Sequence, residues 1–165
     1  DMIYLSDYNG QGQSLSSAGW TLLRYASCPV LIIRNNVEQQ RKSVLAALNT
    51  QNHAAAYREL GEKIITVSQW IADAYGAELH VVNAYEDSLH FPDRSRILRE
   101  TNLPNDRVHI VHGSPEDVIA DIADKIEADI VVIGTRNRRG ISAMMRGNTS
   151  EKVIARVRQD IMTLN

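Results

Sequence analysis

The chain has 165 residues, 44% of them apolar, which suits one ordinary core, because domains most often hold roughly 100 to 150 residues. With 18 basic and 20 acidic residues the net charge is −2, so no global field draws the chain to nucleic acid or an anionic membrane, and any basic function must be local. A single cysteine, Cys28, excludes an intrachain disulfide, and with no signal peptide and no apolar run of about 18 residues the expectation is a soluble cytoplasmic protein.

Taken in chain order, strands and helices alternate. Asp1 stands in mid-pattern, as in a chain cut or processed upstream. Met2 to Leu5 reads as a short strand, Ser17 to Tyr25 as a helix with Leu22 and Leu23 inward, and Pro29 to Ile33 as a second strand. Residues 35–40 read as a polar linker, and Ser43 to Asn49 as the next strand. From Ala54 to Tyr75 the residues Tyr57, Leu60, Ile64, Ile71 and Tyr75 recur at helical spacing, and Gly76 ends that helix as a C-cap glycine. Leu79 to Ala84 is a strand, and Arg94 to Glu100 a short helix within an unusually short crossover.

Ser114, Pro115 and Asp117 open another helix in capping-box style, with Val118, Ile119, Ile122 and Ile126 as its apolar stripe. Asp129 to Ile133 is continuously apolar after its first residue, as a parallel strand covered on both faces should be. Asn148 and Glu151 form a second capping pair, Val153, Ile154 and Val157 line the last helix, and Ile161 to Leu164 closes the chain as a strand. Strands separated by helices argue an α/β fold with right-handed crossovers.

Residues 1–34 also align with 129–165. Asp1 to Leu5 matches Asp129 to Ile133, Leu22-Leu23 matches Val153-Ile154, and Pro29 to Ile33 matches Asp160 to Leu164. Both stretches are strand, loop, helix, strand, which suggests two tandem copies with the first represented by its C-terminal end. The loops differ: Ser6 stands where the second copy has Gly134.

The stretch from residue 134 to 150 carries the functional signal. It follows a buried strand, holds Arg136, Arg138, Arg139 and Arg146 without an acid, and closes at Gly147 before a helix. Glycine permits close backbone approach, a helix N-terminus offers free N–H groups and arginine offers planar donors, so the combination suits phosphate. The alternative is that Gly134 and Gly147 only make turns and the arginines form a solvated face. Neither the P-loop nor the dinucleotide glycine pattern is present.

With LAALN at residues 45–49, VHGSPEDVI at 111–119 and VVIGTRNRRGISAMMRGNTSEKVI at 131–154, the chain resembles the universal stress protein family, in its tandem-domain form. The resemblance implies five parallel strands in the order 3-2-1-4-5 with helices on both faces, plus a strand-helix-strand remnant of a preceding repeat. It divides the chain into 1–34, the end of a first domain, a linker at 35–40, and a second domain at 41–165. Nucleotide-binding members of the family carry G-x2-G-x9-G-[ST] after the fourth strand; here Asn137 stands at the middle glycine and Asn148 at the Ser/Thr position. The acid that the family places at the end of the first strand is Asn49.

The implied function is a non-enzymatic stress-response protein that binds ATP, with Mg2+ only if ATP binds. The implied nucleotide site is Asn49, Val82, Ile133, Gly134, Arg136, Asn137, Gly147, Asn148, Thr149 and Ser150. The alternative is a pseudo-dimeric interaction module that binds no nucleotide or another small molecule. The expected partnership is pairing of the two domains within the chain, or a homodimer, through the last strand, with no nucleic-acid or membrane partner.

No catalytic or metal cluster is expected. His109 and His112 lie three apart on a strand and point to opposite faces, and His80 reads as a packed or surface histidine. Trp20 and Trp70 read as core or interface residues, and Cys28 as buried filler. The short crossover after Ala84 is expected to leave one sheet face partly open.

Overall fold

The computed structural model describes residues 1–6, 15–34, 40–135 and 149–165. Its strands are β1 (Ile3–Ser6), β2 (Val30–Ile33), β3 (Ser43–Leu48), β4 (Glu78–Tyr85), β5 (Val108–His112), β6 (Ile130–Gly134) and β7 (Asp160–Leu164). Its helices are α1 (Ser17–Tyr25), α2 (Ala55–Tyr75), α3 (Arg94–Thr101), α4 (Pro115–Lys125) and α5 (Thr149–Arg156). The strands form one sheet in the order β1-β2-β7-β6-β3-β4-β5. The expected parallel order 3-2-1-4-5 is found as β5-β4-β3-β6-β7, and the expectation of a five-stranded sheet is corrected to one mixed, seven-stranded sheet, because β2 extends it beside β7. From β5 to β7 all neighbours run parallel, and the antiparallel contact is β2 against β7.

Both faces of the sheet are covered, which is why β3 and β6 are apolar along nearly their whole length. One face carries α1, α4 and α5, whose Leu23, Val118, Ala123, Val153 and Ile154 pack with Leu45, Val82, Val131 and Ile161. The other carries α2 and α3, whose Ile64, Ile71, Ala72 and Ile97 pack with Val44, Ala46, Val81, Val132 and Met162. The short crossover places Ile97 of α3 at 0% exposure, so a single two-turn helix covers much of the face that was expected to lie open.

Local signals act largely as the residues suggest. Gly76 takes φ 64° and its N–H reaches back to α2, the left-handed cap that a side chain disfavours. Pro115 occupies the first turn of α4 beside Glu116 and Asp117, which complement the helix dipole. The capping box there does not form. Ser114 Oγ donates to Asp117 Oδ2 at 2.8 Å, so the two side chains satisfy each other instead of the backbone. Trp70 and Tyr75 are exposed on α2, so neither belongs to the core, and Cys28 is half-buried where a buried residue was expected. The linker residues 35–39 and Asn148 lie outside the described residues.

β1-α1-β2 and β6-α5-β7 occupy equivalent places about the antiparallel contact. Leu31 faces Met162 at its centre, with Val30 opposite Thr163 and Ile32 opposite Ile161 on either side. Ile3 sits beside Val30 as Val131 sits beside Ile161, and Ser6 beside Ile33 as Gly134 beside Leu164. These are the residue pairs that the internal alignment matches. Side chains cross the contact in both directions: Arg34 Nη2 donates to Ile154 O of α5, and Asn165 Nδ2 to Ala26 O at the end of α1. With β6 on one side and β2 on the other, β7 has no free edge, so the alternative of a homodimer through the last strand is excluded for this arrangement. Among the described residues no helix is long and apolar enough to cross a membrane.

Candidate functional site

An open parallel sheet offers a ligand crevice at the C-terminal ends of its strands, where successive crossovers leave to opposite faces. Here β3 connects through α2 on one face, while its other neighbour β6 leads to α5 on the opposite face. The loops after β3 and β6 therefore diverge. Asn49 follows β3 and is exposed, Gly134 ends β6 half-buried, and Thr149 and Ser150 begin α5, exposed and buried respectively.

Val82 and Ile133 are 1% and 3% exposed within the core, so only their backbone could face a ligand. Arg136, Asn137, Gly147 and Asn148 lie outside the described residues. The carboxamide of Asn49 can donate and accept hydrogen bonds, but it is a weaker ligand for a hard divalent cation than a carboxylate.

Gly134 has a packing role that the motif does not convey. A Cβ there would fall 2.6 Å from Leu60 Cδ2, 2.9 Å from Leu60 Cγ and 3.2 Å from Ile64 Cδ1. Its φ is not positive, so the glycine is required by the closeness of α2 and not by an unusual turn.

A shallow groove opens beside Asn49 on the α2–α3 face, lined by Thr50, Tyr57, Arg58, Arg96 and Glu100 among others. Arg96 Nε lies 2.6 Å from Glu100 Oε1, which raises the arginine pKa above its ordinary value. The groove lies on the face away from α5, and Asn49 is part of its lining.

The polar residue that organises this end of the sheet is one that the sequence reading missed. Asn83 is 0% exposed and has all its side-chain groups engaged. Its Oδ1 accepts from Thr50 N at 3.0 Å and Thr50 Oγ1 at 2.8 Å, while Nδ2 donates to Gln51 Oε1 at 2.8 Å and Ala84 O at 3.0 Å. Gln51 Nε2 also donates to Ala84 O at 2.6 Å. This network ties the β3–α2 loop to β4 and fixes the backbone that presents Asn49. The available signal was period-two alternation, which puts Asn83 on the same buried face as Leu79 and Val81.

The histidines separate. His109 meets His80 across β4 and β5, Nδ1 of His80 lying 3.1 Å from Nε2 of His109, whereas His112 packs edge-on against Tyr85. Among the described residues no three His, Cys, Asp or Glu side chains are grouped to hold a metal.

A model of the universal stress protein family matches residues 56–164. Universal stress protein E of Photorhabdus laumondii is 31% identical to this chain, over 88% of the chain and 54% of that protein. Its counterpart in Escherichia coli K12 is 28% identical, over 88% of the chain and 53% of that protein. The chain thus spans about half the length of the curated relatives it matches. A crystal structure of a putative universal stress protein from Pseudomonas aeruginosa superposes with a TM-score of 0.86 at 29% identity, covering 99% of this chain and 62% of that one. The family match runs from the first turn of α2 through β7, taking in β4 to β7 and α3 to α5, and the chain belongs to the universal stress protein family.

Proposed function

We propose that this chain is a non-enzymatic stress-response protein that binds an adenine nucleotide, ATP foremost, at the C-terminal ends of β3 and β6. The observation that carries the reading is the divergence of the two crossovers at this point, with exposed Asn49 on one side and the first turn of α5 on the other. The base and ribose would lie by Asn49 and the backbone of Val82, and the phosphates by Gly134, the arginine loop and Thr149. Free N–H groups and the dipole at the start of α5 favour an anion there. A universal stress protein with the same fold, 21% identical and with a TM-score of 0.58, was solved in complex with cAMP. Mg2+ would enter only with ATP, because Asn49 supplies no carboxylate. Residues 1–34 would be the end of a first domain and 41–165 a second, a reading supported by the equivalent registers about Leu31 and Met162.

A second reading, an interaction module without nucleotide, is favoured by one observation: α2 packing already accounts for the glycine at Gly134. Calorimetric titration with ATP, with and without Mg2+, separates the two. The nucleotide reading expects saturable micromolar binding that Gly147→Val abolishes. No detectable heat at high ATP overturns it.

A further inference from the structure

At the other end of the sheet from β1, β5 is an edge strand that pairs, among the described residues, with β4 alone. His80 of β4 and His109 of β5 face each other there, with ring centroids 5.4 Å apart and planes only 15° from parallel. Their 3.1 Å nitrogen contact needs one N–H and one lone pair, so the neutral pair is a satisfied cross-strand hydrogen bond. Both rings are partly buried, and α4 lies over the same face of the two strands. We propose that the His80–His109 pair is an acid-sensitive latch: protonation of both rings removes the lone pair and sets two cationic ring edges against each other, loosening β5 from β4 at the edge of the sheet.

The surroundings offset the added charge only in part. Glu78, with Oε2 3.8 Å from His80 Nε2, favours a cation on that ring, but its Oε1 also engages Arg107 Nη2 at 2.7 Å. Arg107 itself disfavours a cation on His80, while Lys125 at the end of α4 and Arg94 at the start of α3 do so on His109. Asp106 acts the other way on both rings. The balance holds His80 below the ordinary histidine range, through burial and then Arg107, and His109 likewise, through burial and then His80.

A histidine pKa that is lower in the folded chain than in the unfolded one gives stability that is complete above the unfolded value. That stability is lost as pH falls through the ordinary range toward the lowered folded values. The two rings share a proton site, so they titrate as a pair.

Amide hydrogen exchange on the whole chain, corrected for intrinsic rates, tests the latch between about pH 7.5 and about pH 5.5, a range that spans the histidine transition. Amides of β5 are expected to lose more protection than those of β6 across this range, because the folded pair resists protons that the unfolded chain takes up. His109→Gln keeps a hydrogen-bonding side chain that does not titrate, and should flatten the difference. Ring-proton NMR of the unaltered chain should show both histidines titrating below the ordinary value, which keeps a test available if the variant does not fold. Equal acid response of β5 and β6, an undiminished response in His109→Gln, or either ring titrating at or above the ordinary value overturns the proposal.

Discussion

The backbone of Gly134 lies so close to Leu60 that a Cβ on the glycine would sit 2.6 Å from Leu60 Cδ2. A residue that reads in the sequence as the opening of a phosphate loop is therefore also the point where α2 presses onto the end of β6. Gly134→Ala is expected to destabilise the fold by about 1–3 kcal/mol, the usual cost of overpacking a filled core. Leu60→Ala in the same chain should recover part of that loss, since it removes the two closest atoms. Urea denaturation of both single variants and the double variant measures the coupling. Additive effects would show that Leu60 is not what excludes the methyl group.

Asp160 fastens both ends of the stretch that joins β2 to β3. Its Oδ1 accepts from Arg34 N at 2.8 Å and its Oδ2 meets Arg41 Nη2 at 2.7 Å, with Arg41 Nη1 also reaching Asp129 O at 3.2 Å. The Asp160 and Arg41 side chains are 7% and 17% exposed, so removing the carboxylate strands a guanidinium that water screens poorly. Asp160→Ala should cost about 3–5 kcal/mol, the range for breaking a buried pair from one side. Asp160→Asn retains an acceptor for Arg34 N and should lose less. The midpoint of urea unfolding gives the comparison, and a loss below about 1 kcal/mol for Asp160→Ala, typical of an exposed pair, would contradict the buried role.

Ser68 presents the opposite case. It lies at 0% exposure in the middle of α2, and its Oγ has no hydrogen-bond partner among the described residues. Alanine there removes an unsatisfied polar atom and has the better helix propensity. Ser68→Ala is expected to raise stability by up to about 1 kcal/mol, read as a higher thermal midpoint. A fall in the midpoint would mean that the hydroxyl is satisfied after all.

Much of the architecture was legible because periodicity and punctuation act locally. The strand and helix limits around Ser17, Tyr25, Tyr75, Gly76 and Pro115 follow from apolar spacing, a C-cap glycine and a first-turn proline. The internal alignment matched residues that the sheet places in equivalent registers, because each strand's inward and outward positions are fixed by its neighbours. What was not legible is what lies across from a residue. Periodicity put Trp70 and Tyr75 on α2 but not on its exposed face, and put His80 and His109 on strands but not 3.1 Å apart. The pairing of the last strand with the strand at Pro29 to Ile33 was expected from the internal alignment, and the sheet joins the two there, Leu31 facing Met162.

Asn83 gives the clearest test of how the candidate site is built. Leucine has nearly the shape of asparagine without its carboxamide, so Asn83→Leu leaves Thr50 N, Thr50 Oγ1 and Gln51 Oε1 without the partners they now have. Unsatisfied groups cost about 1–3 kcal/mol each when water cannot reach them, and less here because the β3–α2 loop can move toward solvent. A net loss of about 2 kcal/mol is therefore expected, together with faster amide exchange at Thr50 that does not extend to β6. Asn83→Asp keeps the acceptor for Thr50 but places a charge where exposure is 0% and removes both donors, so it should be worse than leucine at neutral pH and recover in acid as the carboxyl is neutralised. If the nucleotide reading holds, ATP affinity should fall in Asn83→Leu even though Asn83 touches no ligand, because the backbone presenting Asn49 is no longer fixed. Unchanged exchange at Thr50 in that variant would remove Asn83 from its positioning role.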